Sequence, residues 1–145
     1  MMKVYCDTSV LVAASISSHP HYAQSLLLLK RVRSGKLEAV ISAHGIAEFY
    51  AVLTRVPLTP TVHPSEAWRL LTQNILPNFQ VAALSAAQYT TVLREAAEKG
   101  WTGGLVYDAL HLACAASTHC KRIYTFNLRH FHQLAPHLQD TICSP

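Results

Sequence analysis

KVYCDTSVLVAASI, residues 3–16, decides the fold. KVYC alternates and is rich in β-formers, and DTSVLVAASI then runs on as a continuous apolar stretch. The pair reads as a first buried strand feeding a short helix, with Asp7 at the turn between them. A strand that is apolar without alternation is covered on both faces, which happens in parallel sheets flanked by helices.

The rest of the chain repeats that alternation. Residues 20–34 read as a helix, with Pro20 in its first turn, a basic last turn and Gly35 as its stop. LEAVIS (37–42) reads as a strand, and AHGIAEFYAVLTRV (43–56) as a helix that spaces Ile46, Phe49, Tyr50 and Leu53 along one side and ends at Pro57. Glu48 lies near the start of that helix. PLTPTVHP (57–64) is a proline-rich connection to a further helical stretch, Ser65 to Asn74. FQVAAL (79–84) reads as a strand, residues 85–100 as a helix closed by Gly100, WTGGLVY (101–107) as a glycine-rich loop, and DALHLACAASTHC (108–120) as a helix with Asp108 at its amino end. RIYTF (122–126) is a strand, Asn127 sits in the loop after it, and QDTIC (139–143) suggests an edge strand. The expected architecture is α/β, a three-layer α/β/α sandwich around a central parallel sheet, in a single domain spanning 1–145.

Composition is consistent with this and excludes several classes. The chain has 145 residues, half of them apolar and 14% charged, which implies a packed core and not a disordered chain. A domain of this size buries roughly 68–70% of the surface its unfolded chain exposes. No apolar run approaches the roughly 20 residues of a membrane span, and the MMKVYCD start lacks the regions of a signal peptide, so the expected location is cytoplasmic. Cys6, Cys114, Cys120 and Cys143 form no CxxC pair, which argues for free thiols over a zinc knuckle or disulfide framework. The formal charge of +4 permits a polyanionic partner without requiring one.

The acidic residues are more informative. The chain has only eight, yet Asp7 and Glu48 lie inside apolar stretches and Asp108 abuts a third. Taken singly, each suits a helix cap or a buried ion pair, and Asp108 before ALHLACA suits an N-cap. Ligands gather beyond the carboxyl ends of parallel strands, where Asp7 and Asn127 follow strands and Glu48 begins a few residues past one. Three carboxylates roughly 4 Å apart repel by about 4 kcal/mol per pair at an effective dielectric near 20. A hard divalent cation relieves that repulsion, and Mg²⁺ held by few carboxylates keeps sites for a phosphate and an attacking water. The chemistry suggested is phosphodiester hydrolysis.

Four segments carry a family resemblance: DTSVL (7–11), AEFYAVLTR (47–55), GGLVYDALHLACA (103–115) and YTFNLRHF (124–131). In order and spacing they resemble the PIN-domain family, which includes the VapC-type toxins of bacterial and archaeal toxin–antitoxin pairs, and the likeness covers nearly the whole chain. It implies a metal-dependent endoribonuclease acting on single-stranded or looped RNA, in which Asp7, Glu48 and Asp108 are catalytic and hold Mg²⁺ or Mn²⁺. Many relatives have aspartate where this chain has Asn127, whose amide accepts from water but supplies neither charge nor a base. One well-held metal is therefore expected. Thr8, Ser9 and Thr125 are supporting hydrogen-bond donors, and Arg129 and His130 are expected RNA contacts.

The resemblance also implies an RNA substrate, an antitoxin protein partner and a homodimer, for which the apolar helical surface of residues 46–76 is the expected interface. His111, three residues after Asp108, reads as packed and hydrogen-bonded more than as a ligand. His19 with His21, and His130 with His132, read as surface or RNA-facing groups. Trp68 with Leu71, and Tyr89 with Val92 and Leu93, read as core or interface. The basic run Lys30 to Lys36 complements a helix end and offers at most a non-specific RNA contact. Two other functions remain in view: a housekeeping RNA-processing nuclease, and a non-catalytic RNA-binding or interaction module on the same fold. An aspartyl-phosphate phosphatase is discounted, because it needs an aspartate where Ser9 stands.

Overall fold

The computed structural model describes residues 1–145. Strands β1 (Lys3–Cys6), β2 (Glu38–Ser42), β3 (Gln80–Ala82), β4 (Arg122–Tyr124) and β5 (Ile142–Cys143) form one sheet in the order β3-β2-β1-β4-β5. Every pairing is parallel. The period-two geometry of a strand separates its two faces. Val4 and Cys6 of β1 join Ala39 and Ile41 of β2 in one apolar cluster with α1 (Thr8–Ser15), α2 (Tyr22–Arg33), α3 (Ala43–Leu53) and α4 (Pro64–Leu70). Tyr5, Val40 and Ile123 face the other way, onto α5 (Ala86–Lys99), α6 (Gly104–Ser117) and α7 (Leu128–Leu134). The result is the expected three-layer α/β/α sandwich, with Val4, Tyr5 and Val40 wholly shielded from solvent.

The departures have local causes. Helix α3 stops at Leu53 because Pro57 disfavours helical geometry at Val56, while the Thr54 hydroxyl donates back to the Tyr50 and Ala51 carbonyls. The arm beyond it is α4 followed by a wider π-helical turn over Leu71–Ile75, which buries Leu71 and Ile75. Two corrections bear on the site. The glycine-rich loop is shorter than expected, because α6 begins at Gly104, so Asp108 lies more than a turn inside the helix and is not its N-cap. Gly103 takes a positive φ of 57° just before it, the backbone turn that launches the helix. The region after Asn127 is α7 and not a loop, a helix of seven residues that is too short to show a period but buries Phe131 and Leu134.

Candidate active site

Asp7 follows β1 directly. Its backbone N–H donates to the Tyr124 carbonyl of β4, pinning it between the two central strands. It stands at the N-cap position of α1, yet its side chain makes no capping bond. Instead Oδ2 accepts from the Ser9 and Thr125 hydroxyls, each at 2.8 Å. Two further bonds tie these donors down, from the Phe126 N–H to Ser9 Oγ at 3.1 Å and from the Asn127 N–H to Thr125 Oγ1 at 2.9 Å. The β1 and β4 turns are thus fastened together around one carboxylate.

Glu48 reaches the same edge from α3, whose start is set by Ser42 at the end of β2 accepting the Gly45 N–H at 2.8 Å. Its Oε1 lies 2.6 Å from His111 Nε2, 3.3 Å from His44 Nε2 and 3.4 Å from the Thr8 hydroxyl. Carboxylates only accept, so His111 Nε2 carries a hydrogen, which also faces Asp7 Oδ1 at 3.3 Å. The other ring nitrogen, Nδ1, meets the Tyr5 hydroxyl at 2.5 Å. His111 is therefore the packed, hydrogen-bonded residue expected, but it is packed against the acidic cluster itself. His44 stacks on Tyr107 at 5.0 Å and extends the cluster outward.

The third carboxylate, Asp108, is 8% exposed. Its Oδ2 lies 3.2 Å from His130 Nδ1, so His130 has a carboxylate partner and is not solely an outward-facing RNA contact. Burial, and next the charge of Asp7, push Asp108 up to about 6 despite the opposing histidines. For Glu48 partial burial works upward, but the His111 hydrogen bond and the charges of His111 and His44 outweigh it and hold the carboxyl below its usual range. Burial disfavours a charged His111, yet the Glu48 hydrogen bond and the three surrounding carboxylates keep its affinity for a proton above the ordinary imidazole value.

Asp7, Glu48, Asp108 and Asn127 line one cavity of about 370 Å³, together with Thr8, Ser9, His19 and Phe126. Its oxygen donors suit a hard divalent cation, which would offset the Asp7 charge that, after burial, raises the Asp108 carboxyl. As they stand, no three His, Cys, Asp or Glu side chains close around one point tightly enough to hold an ion. Glu48 is drawn onto His111 instead.

Arg129 is exposed on α7 close to Asn127, on the expected edge. The basic run does not share that edge: Lys36 leads into the amino end of β2, whose Glu38 N–H bonds the Met2 carbonyl, so the run lies at the opposite end of the sheet. The contributions of Tyr5 and His44 were not anticipated. Tyr5 reads as a strand residue, and nothing local marks its hydroxyl as a partner for a histidine 106 residues away.

The profile of the PIN domain matches residues 4–135. Ribonuclease VapC27 of Mycobacterium tuberculosis is 32% identical over 123 residues, covering 85% of this chain and 83% of the relative. Ribonuclease VapC40 of the same species is 34% identical over 104 residues, 72% of each chain. Among solved structures, VapC20 of M. tuberculosis, a sarcin–ricin loop cleaving toxin, superposes with a TM-score of 0.66 at 17% identity, over 85% of this chain and 88% of that one.

Proposed function

The chain belongs to the PIN-domain family, and from that premise we propose that it is an endoribonuclease of the VapC toxin type, one domain over 1–145, acting on RNA in the cytoplasm. The supporting observation is the meeting of Asp7, Glu48 and Asp108, from three separate parts of the chain, in one cavity beyond the carboxyl ends of the strands. Mg²⁺ or Mn²⁺ is the proposed cofactor, held by these three carboxylates. When bound, such a cation makes water more acidic and offsets charge developing on the phosphate.

The chain's own groups have separable tasks in this reading. Ser9 and Thr125 hold Asp7 in one orientation. Thr8 and His111 orient Glu48, and Asn127 supplies a neutral amide at the fourth corner. Asp108, held 3.2 Å from His130 on the wall of the same cavity, orients the attacking water. Arg129 contacts RNA phosphate, and His130 does so from its place beside Asp108.

An antitoxin protein and a second copy of this chain are the proposed protein partners. The support is an exposed apolar groove of about 510 Å³ lined by Ile46, Ala47, Tyr50, Pro64, Trp68 and Leu71, on the arm expected to carry an interface. No helix is long and apolar enough to cross a membrane.

The test is cleavage of a mixed RNA pool by purified protein with Mg²⁺, with Mn²⁺ and with chelator, beside an Asp7→Asn variant. Cleavage should require the cation and fall at least about 100-fold in the variant, the scale of losing a group essential to the transition state. Wild-type protein that binds RNA but cuts none under any cation would favour the non-catalytic module.

A further inference from the structure

The acidic cavity has an aromatic wall that the carboxylate chemistry does not use. His19 and Phe126 line the cavity beside Asp7 and Asn127. His21 stacks on Phe126 with ring centres 4.3 Å apart and planes 11° from parallel, and His19 leans on both, 5.8 Å from His21 and 6.5 Å from Phe126. Three rings from two distant segments, the turn before α2 and the turn after β4, therefore form one stacked shelf whose exposed outer ring is His21.

The shelf is fixed relative to the carboxylates. The Phe126 backbone donates to Ser9, which donates to Asp7, and the flanking Thr125 donates to the same Asp7 oxygen. The His21 N–H donates to His19 Nδ1 at 3.0 Å, and Gln24 lies 3.2 Å from His21 Nδ1, so both imidazoles are oriented. A ring surface that begins in the wall of the acidic cavity, at His19 and Phe126, and continues outward to His21 has the form of a base-stacking platform, which works for any base because every base has a π-face.

Resting on the ribonuclease reading, we infer that His19, His21 and Phe126 form a nucleobase-binding subsite that takes the unstacked base of a nucleotide next to the phosphodiester at the acidic cluster. Such a subsite accords with the single-stranded or looped RNA that the family resemblance implies, since a base within a continuous duplex is not free to reach the shelf. Packing against the shelf sets the position of the ribose–phosphate chain over Asp7.

The experiment compares binding of fluorescein-labelled decaribonucleotides of A, C and U with that of an abasic ribose–phosphate decamer, by fluorescence anisotropy in EDTA so that nothing is cut. Wild-type protein should prefer a base-bearing strand to the abasic one by about 10-fold, within the range for one stacked base. In His21→Ala, at an exposed position, and in Phe126→Leu, which retains apolar bulk, that preference should fall to about twofold while affinity for the abasic strand stays unchanged. A merely structural role would weaken both strands equally and leave the preference intact. That result in His21→Ala, or a wild-type protein with no base preference, overturns the subsite. Failure of the nuclease reading is separate, because it shows as an RNA pool left uncut by a protein that retains its base preference.

Discussion

Asp108 is the residue whose environment is most at odds with its charge. In the unfolded chain its carboxyl titrates near 3.8, and in the fold near 6, because burial and the adjacent Asp7 both disfavour the anion. The folded state thus binds this proton more tightly. Stability from the protonated form is complete below the unfolded value and is lost as pH rises through about 6. Asp108→Asn removes that loss and retains an oxygen for His130. It should be more stable than wild type at about pH 8, by on the order of 1–3 kcal/mol, and indistinguishable from it near about pH 4. Paired thermal melts at the two pH values check this, and an equal difference at both would show that the carboxyl does not titrate as described. The same substitution should abolish cleavage, so one variant separates charge strain in the free protein from the chemistry the charge serves.

At the scale of elements, the tight turn from β2 into α3 positions Glu48. Gly45 makes it possible: a Cβ there would lie 3.0 Å from Ser42 Oγ, 3.4 Å from His111 Cε1 and 3.5 Å from Thr8 Oγ1. The Ser42 contact is the tight one, and that hydroxyl is committed to capping α3, while His111 and Thr8 stand at ordinary contact distances. Helix propensity alone would make Gly45→Ala stabilising by about 1 kcal/mol. The crowding against Ser42 predicts the opposite sign, a loss of about 1–2 kcal/mol, with cleavage reduced as Glu48 is displaced. Urea denaturation measures the sign directly, and a gain in stability would mean that the Ser42 hydroxyl gives way without losing its cap.

The molecule as a whole keeps Asp7, Glu48 and Asp108 at one end of the sheet and an uncovered apolar surface on the α3–α4 arm. Trp68 is 60% exposed there, and Tyr50 on the same groove is 37% exposed. An aromatic patch of this kind is a usual mark of a protein–protein surface. If it joins two copies of the chain, Trp68→Glu should weaken the dimer at least about tenfold, as removal of an interface anchor does, while leaving the melting temperature of the monomer unchanged. Light scattering over a concentration series measures the association. A wild-type protein that stays monomeric throughout would remove the homodimer and leave the groove to the antitoxin.

What the sequence by itself determined was whatever repeats over short distances. The β1–Asp7–α1 unit, the alternation of strands and helices, the parallel sheet and the chain positions of Asp7, Glu48 and Asp108 all follow from periodicity and from where strands stop. Legibility failed where an element is too short to show a period, as in α7, or where glycine reads as a breaker although it tolerates a first helical turn, as at Gly104. Only the tertiary structure decided which polar groups meet. Thr125 reaches Asp7 across 118 residues, His111 joins Tyr5 to Glu48, His130 takes Asp108, and His21 stacks on Phe126. Hydrogen bonds and ring contacts act over a few ångströms whatever the separation along the chain, so their pairing is settled by the folding of the sheet and has no local signature in the residues that make them.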